Sequence, residues 1–330
     1  MTEANPGPEP HRALTAVVVG ARRVRHGTGP FLARMLHGAG VRVVGVVGST
    51  SSSAREAAED LEPHGIRAQA CTTPEEVFVE LRPDLLVVAS PYPSHRAWLL
   101  EAMEAGVHVL CEKPLWAGPV EATRELVRGF AARGLVLAEN CQWPETLPAF
   151  RALHPGVDPA AASTFRMLLA PPLRGVERWA EVLSHPLSLL QAVLPGPFEL
   201  EEVRFQEVSP DAPDSRLGFT WRAADRELCC EVVLEDLGRF PRPAEYAFDE
   251  FVCRRVVDPE TYRMEFVSGD GPEHLPVPLG DPTETRLRRF LRRVEEVRAT
   301  GSAPLDEDLV RRQTWLDVLL GHYRRQAQRT

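Results

Sequence analysis

Of the 38 lysine and arginine residues in this chain of 330, a single one is lysine, Lys113. It lies in the triplet Glu112-Lys113-Pro114, directly after an apolar run typical of a buried parallel strand. An ammonium group can hydrogen-bond a substrate oxygen and exchange a proton with it, whereas a guanidinium stays protonated. A role in proton transfer would explain why arginine does not stand here too. The alternative is a strand-end lysine that pairs with a neighbouring carboxylate.

The position of Lys113 suits a ligand site. Pro114 restricts the preceding residue to extended backbone, so the lysine side chain is expected to project from the end of the strand. Open α/β sheets bind their ligands outside the carboxyl ends of their parallel strands. An ammonium at that place could also stabilise negative charge that develops on a reacting oxygen.

The segment from Gly20 to Gly29 is interpreted as a lengthened phosphate-binding loop. Glycines after the first strand of a doubly wound sheet let backbone N–H groups approach a pyrophosphate. The usual G-x-G-x-x-G spacing is absent, because Arg22 and Arg25 stand where further glycines are expected. Arginine charge would replace some close backbone contacts, and the candidate contacts are Gly20, Arg22, Arg23, Gly27, Thr28 and Gly29. The alternative is a rebuilt turn that binds no nucleotide.

The end of the second strand favours NADP over NAD. An NAD site usually has an acidic residue there to hold the ribose 2′-hydroxyl. This chain has hydroxyls followed by arginine, and the residues expected to contact the cofactor are Ser49, Thr50, Ser51 and Arg55. Guanidinium pairs well with a 2′-phosphate. The alternative is that the hydroxyls only cap the following helix.

Short apolar runs alternate with helical patterns in the first part of the chain. The predicted strands are 16–19, 41–47, 85–89, 107–111 and 135–139, and the predicted helices follow Gly29-Pro30 or cover 53–61, 95–105 and 120–133, with one more starting at a Thr73/Glu76 capping box. This alternation predicts a parallel, doubly wound sheet.

In the second part of the chain the alternation of strands and helices is replaced by a series of strands. The predicted strands are 164–169, 201–208, 217–222, 228–234, 246–257 and 262–267, followed by helices at 284–298 and 306–325. They predict a mostly antiparallel open sheet with one solvent-facing side. The arginines of the first closing helix are expected on a solvated face and are Arg286, Arg288, Arg289, Arg292 and Arg293.

Three segments resemble the oxidoreductase family named after glucose–fructose oxidoreductase, inositol dehydrogenase and the rhizopine catabolism protein (Gfo/Idh/MocA). They are S-P-Y-P-S-H at 90–95, A-G-V-H-V-L-C-E-K-P at 105–114 and N-C-Q-W-P at 140–144. The resemblance implies a Rossmann dinucleotide-binding domain at 14–145 after a flexible tail at 1–13. An α+β substrate and oligomerisation domain would follow at 146–330. The implied reaction is hydride transfer between nicotinamide and a carbonyl or hydroxyl, often on a sugar.

The resemblance also implies site residues. Further cofactor contacts would be Ser90, Pro91, His95, Glu112 and Asn140, and substrate contacts would be Lys113, Gln142, Trp143 and His185. The family's second catalytic element, Asp-x-x-x-His on a helix, has its counterpart in Glu181 and His185, with Glu181 expected to hold the imidazole tautomer. Glutamate replaces aspartate, and Pro186 follows the histidine directly, so the helix is expected to kink or restart there.

Three functions remain open. The first is an NAD(P)-dependent oxidoreductase for a small polar carbonyl or alcohol, such as a sugar or cyclitol. The second is an imine reductase similar to thiazolinyl imine reductases, whose substrate sits on a carrier protein; such enzymes tend to have histidine where this chain has Lys113. The third is a regulator that binds dinucleotide without catalysis.

Composition excludes several classes of partner. The net charge of −9 and the pI near 5.7 argue against nucleic acid or an anionic membrane, and no apolar run is long enough to span a bilayer. The six cysteines form no zinc pattern, so no metal site is expected and they indicate free thiols in a reducing cytoplasm. The first residues are interpreted as a loose tail rather than a signal peptide. Family analogy alone implies a homo-oligomer.

Overall fold

The structure is a computed structural model that describes residues 12–22, 27–207, 209, 212–223, 226–236, 241–258, 264–269 and 276–329. Most of the expected N-terminal tail, and Arg23 with Arg25 of the loop, lie outside the described residues. Contacts divide the chain into two compact units. The first unit is Met1–Pro91 with Ala97–Leu110, and the second is Tyr92–Arg96 with Cys111–Thr330.

The predicted parallel sheet is confirmed and has six strands in the order β3-β2-β1-β4-β5-β6. The strands are β1 (Thr15–Val19), β2 (Arg42–Val47), β3 (Gln69–Cys71), β4 (Leu85–Val88), β5 (His108–Glu112) and β6 (Leu137–Asn140). The strand β1 is buried along its whole length, because it pairs with parallel neighbours on both sides. The strand order reverses between β1 and β4, which is where doubly wound sheets form a ligand crevice. The short strand β3 was not expected from its sequence.

The helices associated with this sheet are α1 (Gly29–Gly38), α2 (Ser51–Leu61), α3 (His95–Ala105) and α4 (Val120–Ala132). The expected capping box after β3 is confirmed, because Thr73 N donates to Glu76 Oε2 at 2.9 Å and Glu76 N donates to Thr73 Oγ1 at 3.3 Å. It precedes a π-helical segment, Glu76–Leu81.

The second sheet has eight strands in the order β14-β13-β12-β11-β7-β10-β9-β8. The strands are β7 (Thr164–Leu169), β8 (Phe198–Gln206), β9 (Ser215–Ala223), β10 (Arg226–Leu234), β11 (Ala244–Phe248), β12 (Phe251–Val257), β13 (Met264–Val267) and β14 (Val277–Pro278). Pairing is mostly antiparallel, as predicted, although β7 and β10 are parallel. The single strand expected at 246–257 is wrong. Asp249 takes a φ of +50° there, and its carboxylate accepts the backbone N–H groups of Ser163 and Thr164 at 3.0 and 2.9 Å, so the chain turns back on itself.

The helices that follow β6 also lie in the second unit, and most of them pack on one face of this sheet. They are α5 (Leu147–Leu153), α6 (Gly175–Val182), α7 (Ser184–Val193), α8 (Pro282–Thr300) and α9 (Glu307–Ala327). The apolar sides of α5, α6, α7 and α9 form one core with the inward side chains of the strands, among them Phe165 and Tyr246. Helix α8 instead packs against β6 and the short helical segment Trp143–Thr146. The outer face carries a ladder of ion pairs across neighbouring strands, such as Arg166 with Glu231, so it faces solvent as expected.

One member of the arginine run on α8 does not fit the expected solvated face. Arg288 is exposed and pairs with Glu284 one turn away. Arg286 instead is partly buried and donates from Nε and Nη2 to the carbonyl of Glu139 at 3.1 and 3.0 Å. Helical spacing puts the two guanidiniums on different sides of the helix. Arg286 therefore has a structural role.

Two further findings concern the described residues. Their helices include none with the length and apolar character that crossing a bilayer requires. All six cysteines are free thiols.

Candidate active site

The end of β1 and the start of α1 form a tight glycine-lined cradle in the first unit. Gly20 has a φ of +81°, and a Cβ on it would lie 2.7 Å from Ser90 N, at the end of β4. A Cβ on Gly29 would overlap the carbonyl oxygen of Gly20. Neither position tolerates a side chain. The first turn of α1 contains Pro30 and no acidic residue, so its free N–H groups and dipole suit an anion.

The shape of this cradle fits a dinucleotide. Two glycines, Gly20 and Gly29, provide the close backbone approach, although the loop between them is longer than usual. Gly27 and Thr28 stand directly before the helix. Arg22 is placed differently from the expectation, since its Nη2 lies 2.6 Å from Glu56 Oε2 and a carboxylate offsets its charge.

The hydroxyls after β2 differ in what they contact. Thr50 is the N-cap of α2: its Oγ1 accepts from Ser53 N at 3.2 Å, and Thr50 N donates to Ser53 Oγ at 3.0 Å. The capping interpretation therefore holds for Thr50. Ser49, Ser51 and Arg55 are exposed around the same helix end, where they are accessible to a ligand.

Lys113 lies in the second unit, one residue beyond β5, and its peptide bond to Pro114 is cis. Its Nζ donates to Glu181 Oε2 at 2.8 Å and to the main-chain carbonyl of Glu181 at 2.9 Å. An ammonium has three N–H groups, so one is left for another acceptor. Burial alone would lower the pKa of Lys113, but the carboxylates of Glu181 and Glu112 outweigh burial and hold that pKa above its ordinary value. Lys113 is therefore protonated at neutral pH.

Glu181 and His185 do not form the expected pair on one helix face. Helix α6 ends at Val182 and α7 begins at Ser184, so the two side chains belong to different helices. Pro186 explains the break, because it has no N–H group to donate to the carbonyl of Val182. The carboxylate of Glu181 contacts Lys113 rather than the imidazole. The expected restart of the helix is confirmed.

The neighbour of His185 is a thiol. Its Nδ1 lies 3.8 Å from Cys141 Sγ, which also donates to the carbonyl of Ser184 at 3.1 Å. The edge of Trp143 packs against the imidazole at 6.1 Å between ring centroids. Burial and the charge of Lys113 hold the pKa of His185 well below its usual value, so the imidazole is neutral. Burial raises the pKa of Cys141 to about 12, so the thiol is neutral as well.

The remaining predicted residues flank Lys113. Asn140, at the end of β6, donates from Nδ2 to Glu112 Oε1 at 2.8 Å. His95, the first residue of α3 as predicted, is buried and its Nδ1 lies 3.0 Å from the carbonyl oxygen of Pro114. This contact holds the backbone directly after Lys113 in place. Gln142 is partly exposed beside Trp143.

Comparison with known families shows what the first part of the chain is similar to. Residues 14–141 match the model of the oxidoreductase family with an NAD-binding Rossmann fold, GFO_IDH_MocA. This segment is therefore similar to the Gfo/Idh/MocA family. It contains the glycine cradle and the Glu112-Lys113-Pro114 triplet.

The curated relatives match about a third of this chain. A 1,5-anhydro-D-fructose reductase from Ensifer adhaerens is 34% identical over 133 residues, which are 38% of this chain and 39% of the reductase. The chain thus spans about two fifths of the length of that relative in the match.

Solved structures extend the likeness in fold to nearly the whole chain. A variant of a 3-ketoreductase from Actinomadura kijaniata, solved with TDP-benzene and NADP, has a TM-score of 0.68 at 18% identity and covers 93% of this chain and 97% of its own. An inositol dehydrogenase homolog from Azotobacter vinelandii, solved with NAD+, has a TM-score of 0.67 at 15% identity and covers 98% of both chains. At such identities the likeness shows the fold alone, a Rossmann sheet followed by a mostly antiparallel second sheet.

Sequence reasoning missed Cys141 and Glu139. A signal for Glu139 was present, because a carboxylate inside the apolar run L-V-L-A-E-N-C at 135–141 indicates a buried charge that needs a partner. For Cys141 there was none, because a thiol in a buried run is ordinary core.

Proposed function

We propose that the protein is an NAD(P)-dependent oxidoreductase with a preference for NADP, acting on a small polar carbonyl or alcohol of the sugar or cyclitol type. The observation that carries the proposal is the ammonium of Lys113, which lies just beyond the carboxyl end of β5. It donates two hydrogen bonds to Glu181, one of them to Oε2 at 2.8 Å. An ion pair alone would also suit a structural lysine. The only lysine of the chain lies in a segment that matches the model of an oxidoreductase family, and this favours a role in the reaction.

In this proposal Lys113 is the acid–base group. The bound dinucleotide supplies or accepts the hydride. Two N–H groups of Nζ stay on Glu181, and the third donates to the substrate oxygen. Because Glu181 keeps the ammonium protonated, Lys113 is set to deliver a proton to a carbonyl oxygen that becomes an alcohol. The favoured direction is therefore reduction.

His185 has a binding role in the proposal. In the proposal the thiol hydrogen of Cys141 points to the Ser184 carbonyl, and Sγ accepts from Ser188 Oγ and from Nδ1 of the imidazole. The neutral imidazole then carries its proton on Nδ1 and presents Nε2 as an acceptor. It would receive a hydrogen bond from a substrate hydroxyl, with Gln142 and Trp143 beside it.

The cofactor contacts follow the geometry of each unit. The backbone at Gly20, Gly27, Thr28 and Gly29 would receive the pyrophosphate, and Arg22 would remain with Glu56. The exposed side chains of Ser49, Ser51 and Arg55 suit a 2′-phosphate. Ser90, Pro91, Glu112 and Asn140 are proposed on the nicotinamide side.

Fluorescence titration with NADPH and NADH tests the cofactor, and absorbance at 340 nm with a panel of keto-sugars, inososes and cyclic imines tests the substrate class. We expect tighter binding of NADPH and turnover of a keto-sugar or inosose. Turnover of cyclic imines alone would favour the imine reductase, whose substrate would arrive on a carrier protein. Binding without any turnover would favour the regulator. If neither dinucleotide binds, all three functions fail.

A further inference from the structure

A fully buried carboxylate lies behind the candidate site, at Glu139 near the end of β6. Its two oxygens receive four hydrogen bonds from three separate parts of the second unit. The donors are Leu115 N at 3.0 Å, Ser184 Oγ at 2.9 Å and Gln313 Nε2 at 2.8 Å on Oε1, and Arg312 Nε at 2.7 Å on Oε2. We call this group of residues the Glu139 cluster.

Two of these donors stand next to the candidate catalytic residues. Leu115 is two residues after Lys113, and Ser184 directly precedes His185. Ser184 also opens α7 at the break after α6, the helix that carries Glu181. One oxygen atom of Glu139 therefore connects the backbone segment of Lys113 with the helix junction that holds both of its proposed partners.

The other donors anchor the carboxylate itself. Arg312 on α9 supplies the compensating positive charge, and its Nη1 bonds Gln191 Oε1 at 2.5 Å. Arg286 on α8 donates two hydrogen bonds, from Nε and Nη2, to the main-chain carbonyl of Glu139. Arg312 balances the charge of the carboxylate, and Leu115 N and Ser184 Oγ satisfy further lone pairs that burial removes from water. Because these two donors stand on the segments of Lys113 and His185, the same bonds also fix the position of both segments.

We propose that Glu139 is a positioning residue that sets Lys113 against Glu181 and His185. It touches neither substrate nor cofactor, and it acts through the backbone at Leu115 and through Ser184. A catalytic geometry of this kind depends on ångström-scale placement, and a displacement of about 1 Å can cost on the order of 100-fold in rate. The consequence for catalysis depends on the proposed function, whereas the consequence for Lys113 does not.

Steady-state kinetics of Glu139→Gln and Ser184→Ala test the catalytic consequence. The matched control is Gln326→Leu, which removes two partly buried hydrogen bonds between α9 and the backbone of Phe205 and none in the Glu139 cluster. We expect kcat to fall about 10- to 100-fold in Glu139→Gln and about 3- to 10-fold in Ser184→Ala, with the Kd for NADPH unchanged. The control variant should have a lower melting temperature than the wild-type protein, but its kcat should stay within about twofold of the wild-type value.

The single lysine allows a second measurement without any substrate. Selective ¹³C/¹⁵N labelling of lysine gives one side-chain signal, from Lys113, whose pH titration reports its contact with Glu181. We expect the titration to move to lower pH in both cluster variants and to stay in place in Gln326→Leu, because a loosened segment loses the carboxylate that favours the ammonium.

An unchanged Lys113 titration in both cluster variants, or a kcat loss no larger than that of the control, overturns the proposal. If the wild-type protein reduces nothing, the proposed function fails while the titration still decides the positioning role. If Glu139→Gln does not fold, Ser184→Ala decides alone, since it removes one hydroxyl and leaves the Arg312 pair in place.

Discussion

Replacing Lys113 by arginine should abolish most turnover while leaving the fold nearly intact. The guanidinium keeps a positive charge beside Glu181, so the ion pair with its carboxylate is retained. The guanidinium cannot donate its proton to substrate at neutral pH, because its pKa is too high. Its planar set of N–H groups also does not reproduce the one N–H of the lysine ammonium that is left for the substrate. The change therefore separates proton transfer from charge.

The expected magnitudes separate the two effects. The side chains of Lys113 and Glu181 are 19% and 27% exposed, and arginine keeps the positive charge of the pair, so the exchange should change the free energy of unfolding by about 1 kcal/mol. Loss of general acid catalysis costs about 10²- to 10⁴-fold in kcat. At about 1.4 kcal/mol per factor of ten, this corresponds to roughly 3–6 kcal/mol of transition-state stabilisation. A stability defect cannot imitate a loss of that size.

The assay is the 340 nm rate with the best substrate of the panel, together with the Kd for NADPH and the melting temperature. Arg288→Lys, at an exposed ion pair on α8, is the control for an exchange of the two basic side chains and should leave kcat unchanged. Lys113→Arg with more than about a third of wild-type kcat would refute the acid–base assignment, because such a loss is far below the range for a general acid.

Three other outcomes are expected. Glu181→Gln should move the alkaline limb of kcat/KM for reduction to lower pH, because Glu181 raises the pKa of Lys113 and activity is lost once the ammonium deprotonates; a limb that stays in place contradicts this. Gly20→Ala should weaken binding of both dinucleotides at least about tenfold, since the methyl group would meet Ser90 N at 2.7 Å with φ at +81°. Unchanged titrations would disprove the cradle. Arg55→Ala should raise the Kd for NADPH about tenfold and leave that for NADH unchanged; equal effects on both would remove the basis for NADP preference.

The Lys113–Glu181 pair also has a consequence for stability. The folded-state pKa of Lys113 lies above the ordinary lysine value of 10.5. The stabilisation from the pair is therefore fully present at neutral pH and is lost as the pH rises through the raised pKa.

Much of the first unit could be predicted from local sequence. A β-branched run such as 16–19 forms a buried parallel strand, and the glycine that ends it forms the cradle whose close approach excludes a side chain. The end of β5 and the exposed place of Arg55 followed from the same alternation of strand and helix. These features depend on residues close together in the chain.

The second unit was less predictable in detail. The helix break before His185 followed from Pro186, but the partner of Glu181 did not. A spacing of four residues indicates a shared face only within one helix, and α6 ends before His185. The hairpin at Asp249 was missed because the turn interrupts the apolar pattern for only two residues, Asp249 and Glu250, and contains neither glycine nor proline.

The sequence by itself determined the two-sheet architecture, the Rossmann segment and the place of the lone lysine at a strand end. Only the tertiary structure decided what that lysine touches. Glu181 lies 68 residues after Lys113, and the donors to Glu139 come from 24 to 174 residues away. Short-range periodicity reports which face of an element is buried, but it holds no information on which distant polar groups meet there. Those contacts between distant polar groups arise from the packing of helices on sheets, and the proposed chemistry of Lys113 depends on them.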